Sequence, residues 1–193
     1  MNIYIAPLDG NPGTAVVYAL LEYAVNTKFN CGLPIIKKTP NGKPYFPERP
    51  DIQFSLSHGK THVMCAISDK PTGVDIEAPR NISTRAIRFF CSPGELELFD
   101  PLDLWVLKES FIKLIGGTLP MMKKISVSYR DDREIAMRCN DDGAEPGELV
   151  RSRLYHIHGC HAAVSTTGDM PPETIEVKKD VVSAAKASLR NGF

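Results

Sequence analysis

Two short apolar runs, about half the chain apart, set the strongest limit on the fold: His62–Ser68 (HVMCAIS) and Cys160–Thr166 (CHAAVST). Each is too short for a core helix, and the first is followed by turn residues at 69–72. A brief apolar run bounded by turn signals reads as a buried strand. Two unrelated buried strands would look the same. The echo also permits two related halves with a site between them.

The remaining elements follow from local chemistry. Residues 2–6 read as a strand ended by Pro7 and the turn-rich stretch DGNPG at 9–13. Thr14 is placed to cap a helix over 15–26, where Val16, Leu20, Tyr23 and Ala24 recur at helical spacing. Residues 31–50 are rich in Pro, Gly and Lys and read as irregular, and strands follow at 52–57 and 73–77. A short helix is expected over 83–90. Ser92, Pro93 and Glu95 make a capping-box pattern for another. Asp103 is expected to cap a helix over 104–115 that stops at Gly116 and Gly117. A hairpin over 125–130 and 133–138, an exposed acidic loop over 141–148, one or two strands over 154–166, a strand over 173–178 and a helical tail from 183 complete the chain.

At 193 residues the chain fits one large domain or two small ones. Basic and acidic residues both number 23, so the formal charge is zero and no nucleic-acid partner is indicated. No stretch approaches the roughly 20 apolar residues of a membrane span. The N-terminus lacks a signal-peptide pattern, so a cytoplasmic protein with no membrane partner is expected. The five cysteines form no CxxC pair; they are expected to be reduced and structural.

Chemistry concentrates in a few places. In a strand, residues two apart share a face, so Asp75 and Glu77 project together and need a cation or a shared proton. The plain alternative is a solvated strand end. On a helix Trp105, Glu109, Ile112, Lys113 and Gly116 lie close together. Glu109 and Lys113 then read most simply as a helix ion pair, yet Glu109 shares its stripe with residues that should be buried and so needs a partner. If Glu109 meets Asp75 and Glu77, the hard oxygen set favours Mg2+, which commonly takes phosphate oxygens as further ligands. Ser57 and His58 at a strand end, with Lys60 nearby, suit phosphate binding; so does Lys43, though a lysine between Gly42 and Pro44 is often only solvated. A serine hydrolase is excluded by the absence of a GxSxG elbow and by the adjacency of Ser57 and His58. His156 and His158 alternate on a strand with His161 near, but no acidic or Cys partner is spaced to complete a metal set, and a structural role is expected.

In order, GKPYF (42–46), FSLSH (54–58), GVDIE (73–77), RFF (88–90) with Glu95, WVLKESFIK (105–113) and GGTL (116–119) resemble the 4'-phosphopantetheinyl transferase superfamily. The resemblance implies that Asp75, Glu77 and Glu109 bind Mg2+. It implies that Lys43, Ser57 and His58 contact coenzyme A phosphates, with Lys113 at the pyrophosphate and Lys108 assisting. Glu109 is also the implied base, with Lys113 and His58 in the catalytic set. The reaction implied moves phosphopantetheine from coenzyme A to a serine of an apo acyl or peptidyl carrier protein and releases adenosine 3',5'-bisphosphate. An Mg2+-dependent phosphohydrolase on the same acids and a non-catalytic carrier-binding module are the alternatives.

The implied fold is α+β: two pseudo-symmetric α/β halves, 1–75 and 76–193, each a small antiparallel-rich sheet on a long helix. Chain length places it with the longer, two-half members that activate peptide and polyketide synthases, and so implies a monomer with its site at the junction. Residues 1–40 contain no arginine, which leaves Lys28, Lys37 and Lys38 for the 3'-phosphate of coenzyme A, or a different mode of nucleotide binding. Arg80, Arg85, Arg88, Lys123 and Lys124 are candidates for a basic docking face.

Overall fold

The computed structural model describes residues 1–129, 134–140 and 150–181. The turn of the expected hairpin, the loop expected at 141–148 and the tail expected from 183 lie outside the described residues. In one sheet, β1 (Asn2–Pro7) pairs antiparallel with β5 (His62–Ser68), β5 pairs antiparallel with β4 (Gln53–His58), and β11 (Glu176–Val177) runs parallel on the far side of β1. The other sheet is antiparallel throughout, in the order β6 (Thr72–Glu77), β10 (Cys160–Thr166), β9 (Val150–Ile157), β8 (Ile135–Cys139), β7 (Ile125–Tyr129). A two-residue ladder joins β2 (Lys37–Lys38) and β3 (Pro44–Tyr45) within the otherwise irregular 31–50 stretch.

The continuous apolar run of β5 has a simple cause: both faces of the strand are buried. Val63, Cys65 and Ile67 pack with Val16, Leu20 and Leu21 of α1 (Gly13–Phe29). Met64 and Ala66 point the other way, against Val74 and Ile76 of β6 and Ala162 and Val164 of β10. The layers are therefore helix, sheet, sheet, helix, with α4 (Pro101–Ile115) on the outer face of the second sheet beside Ala163. Strands buried on both faces read as unbroken apolar runs instead of alternating ones.

Two close approaches fix α4 and the sheet junction. A Cβ on Gly73 would lie 1.9 Å from the Ser110 carbonyl oxygen and 2.5 Å from the Leu114 nitrogen, so only glycine lets α4 lie this near β6. The facing edges of the two sheets, β4 and β6, are bridged by side chains. Val74 N donates to Ser55 Oγ (3.1 Å) and Ile76 N to Ser57 Oγ (3.3 Å).

Helix starts differ from the sequence reading in two places. Helix α1 begins at Gly13 after Pro12, with no side-chain cap, so Thr14 is already inside it. Asp100, not Asp103, caps α4: its carboxylate accepts from Leu102 N (2.8 Å), and Pro101 opens the first turn, where its missing N–H costs nothing. The expectations for α2 (Thr84–Phe90), capped by Ser83, and for α3 (Pro93–Leu96) hold; Ser92 and Glu95 make both capping-box bonds. All five cysteines are free. No helix among the described residues is long and apolar enough to cross a membrane.

Candidate active site

The site forms where β4, β6 and α4 meet. Strand β6 presents Asp75 and Glu77 on one face, as the two-residue spacing requires. Asp75 is 5% exposed, and its Oδ1 accepts from Ser57 Oγ (2.7 Å) and Lys113 Nζ (2.8 Å). Lys113 Nζ also donates to Ser57 Oγ (2.9 Å). The Ser57 hydroxyl thus gives one hydrogen bond and accepts two, its full capacity. The other carboxylate oxygen, Asp75 Oδ2, is buried and has no hydrogen-bond partner among the described residues.

Glu109 faces this group from α4. Its carboxyl is pushed up to about 7, first by burial, then by the charge of Asp75 and, less, that of Glu77, with Lys113 and Arg80 opposing. The three acids therefore share one electrostatic neighbourhood. Glu77 Oε1 takes Arg80 at 3.4 Å, and the Arg80 guanidinium lies 4.9 Å over the ring of Trp105, which is half-buried, not fully buried as its helix stripe suggested. The anticipated ion pair of Glu109 with Lys113 gives way to Lys113 with Asp75, because β6 brings a more deeply buried acid within reach.

Lys43 enters from the irregular segment. Its Nζ donates to the Leu114 carbonyl at the C-terminal end of α4, and burial lowers its pKa. A cavity of about 250 Å3 lies here, lined by Lys43, Ser55, Ile112, Lys113 and Gly116 among others. His58, at the exposed end of β4, packs against the start of α1: a Cβ on Gly13 would lie 3.3 Å from its ring. No side chain caps that helix N-terminus.

Lys108 does not join the others. Successive helix residues diverge by about 100°, so Lys108 points away from the face of Glu109. Its Nζ is buried, donating to the Phe90 carbonyl and to Glu95 Oε2 (2.9 Å). Glu95 in turn accepts from Ser92 N and Val127 N, so this pair ties α4 to α3 and β7. Of the basic residues considered for docking, Arg88, Lys123 and Lys124 line one open cavity beside Phe89.

Residues 71–161 match the family model described as the 4'-phosphopantetheinyl transferase superfamily. This segment belongs to that superfamily. It carries Asp75, Glu77, Lys108, Glu109 and Lys113, while Lys43, Ser57 and His58 precede it. A 4'-phosphopantetheinyl transferase of Bacillus subtilis is 36% identical over 116 residues, covering 54% of this chain and 51% of that protein. The 4'-phosphopantetheinyl transferase Sfp of Bacillus subtilis (strain 168) is 33% identical over 111 residues, 52% of this chain and 50% of its own length. The 4'-phosphopantetheinyl transferase gsp of Aneurinibacillus migulanus is 34% identical over 137 residues, 65% of this chain and 56% of its own length. The chain spans about half the length of the curated relatives it matches.

Within the superfamily segment lies a cluster the sequence did not announce. Asp103 Oδ1 accepts from His156 Nε2 (2.9 Å) and from His161 Nδ1 (2.7 Å). The acidic partner missing near the histidines comes from α4, more than 50 residues earlier. Local spacing cannot show a contact made by folding a helix onto a hairpin. His158 stays apart, stacked on His62.

Proposed function

We propose that the chain is a Mg2+-dependent 4'-phosphopantetheinyl transferase that modifies a serine of an apo acyl or peptidyl carrier protein. The observation carrying this reading is the buried, unpartnered Asp75 Oδ2 beside a Glu109 carboxyl held near 7 by burial and by its acidic neighbours. A buried acceptor without a partner is costly, and three carboxylates with no sulfur or imidazole suit a hard cation. Asp75, Glu77 and Glu109 would hold the ion. Bound there, Mg2+ supplies positive charge that stabilises the phosphoryl oxygens as they react.

The chain's own side chains do the rest. Lys113 is fixed between Ser57 and Asp75, and its ammonium would hold the diphosphate of coenzyme A. Lys43, beside the cavity, and His58, at the uncapped start of α1, would take further phosphates; helix N-termini favour anions. Glu109 accepts the proton of the carrier serine, whose oxygen attacks the β-phosphorus; the bond to the α-phosphate oxygen breaks and adenosine 3',5'-bisphosphate leaves. Lys108 acts indirectly, through Glu95, by fixing α4.

The same reading treats the chain as two related halves dividing near residue 75, acting as a cytoplasmic monomer. The interior positions of HVMCAIS in one sheet and of CHAAVST in the other are what supports the two-half part of this reading. The basic residues near Phe89 suit an acidic carrier. Asp75→Ala and Glu109→Ala variants test the site. Each is expected to fold and to lose transfer from coenzyme A to an apo carrier; transfer at the unaltered rate in either would overturn the assignment.

A further inference from the structure

We propose that Asp103, His156 and His161 form a second metal site, for a borderline transition-metal ion of the Zn2+ class. It shares no residue with the acidic site and stands independently of the transferase reading.

The three residues come from a helix and the two strands of a hairpin that the fold presses together. Asp103 lies in the first turn of α4, 9% exposed, and the histidines lie opposite one another on the β9–β10 hairpin as register partners. Both rings aim a nitrogen at the same oxygen, Asp103 Oδ1, and their centroids are 4.8 Å apart at 88°. One ligand atom from each residue lies within 4.8 Å of the other two.

The donor set selects the ion. Two imidazole nitrogens and one carboxylate oxygen suit Zn2+ and its neighbours, and the imidazoles are poor ligands for Mg2+. Three protein ligands leave a fourth position for water. The open side is that of His156, whose side chain is 61% exposed against 23% for His161.

The proton accounting also closes. A carboxylate only accepts, so without metal each ring must donate: His156 through Nε2–H and His161 through Nδ1–H. On binding, these nitrogens offer lone pairs to the ion. A neutral ring keeps its one proton, moved to the other nitrogen, and a doubly protonated ring releases one to solvent.

The position has a consequence. Asp103 precedes Glu109 by six residues on α4, about 9 Å along the axis, and His161 is the register partner of Glu77. An ion here would pin the N-terminal turn of the helix that carries Glu109 and Lys113 to the β9–β10 hairpin.

The test is a calorimetric titration of the protein with Zn2+ in saturating Mg2+. One Zn2+ per chain is expected. His161→Ala and Asp103→Asn should each weaken binding at least ~10-fold, while Asp75→Asn leaves it unchanged. Unchanged affinity in both His161→Ala and Asp103→Asn overturns the proposal, as does loss of Zn2+ binding in Asp75→Asn. Co2+ titration guards against misfolded variants: the unaltered protein should develop the visible bands of a low-coordinate nitrogen and oxygen site. Absence of those bands, or bands showing thiolate ligation, would also overturn it.

Discussion

Glu109 is a carboxyl whose environment works against its charge, and this has a measurable sign. Its pKa rises from an ordinary 4.5 to about 7, so the folded, metal-free protein holds this proton more tightly than the unfolded chain. The contribution to stability is complete below about 4.5 and is lost as pH rises through about 7. Glu109→Gln removes that group, so the variant should lose less stability than the unaltered protein over this range. Urea unfolding of both, metal-free, checks it; equal losses would contradict the electrostatic account. At this scale the sequence was informative for identities and silent on partners. Asp75, Ser57 and Lys113 were each recognisable as polar residues on strand or helix positions. That one oxygen, Asp75 Oδ1, takes bonds from both of the others depends on segments 18 and 38 residues away in sequence.

Elements were readable where period and punctuation agree, and less so at helix starts. The run His62–Ser68 is a strand over its full length because both its faces are covered, while Asp103 looked like a cap and turned instead toward two histidines. The placement of α4 rests on Gly73 and on the buried pair of Lys108 with Glu95. Gly73→Ala puts a methyl group into the α4 backbone, which cannot yield as a flexible side chain would. A loss of about 3 kcal/mol in unfolding free energy, at the upper end for overpacking, is expected by urea denaturation. Lys108→Met leaves Glu95 buried without its counter-charge; breaking such a pair from one side costs about 3–5 kcal/mol. Transfer per folded molecule should persist in this variant, because Lys108 Nζ reaches Phe90 and Glu95, not the acids. A stability change within error in denaturation would contradict its structural role.

Across the whole molecule, the two sheets meet through the cluster of Ile3, Ile5, Met64, Ala66, Val74, Ile76, Ala162 and Val164, and through the serine hydroxyls that join β4 to β6. The site sits on that seam, with Ser57 from one sheet and Asp75 from the other. A joint of this kind explains why single motifs looked weak in sequence: each element carries only a fraction of the chemistry, and the seam assembles it. The most direct measurement is the mass of an apo carrier protein after incubation with this protein, coenzyme A and Mg2+. A gain of one phosphopantetheine group per carrier, with release of adenosine 3',5'-bisphosphate, is the predicted result. An unmodified carrier, with coenzyme A either intact or hydrolysed, would contradict it.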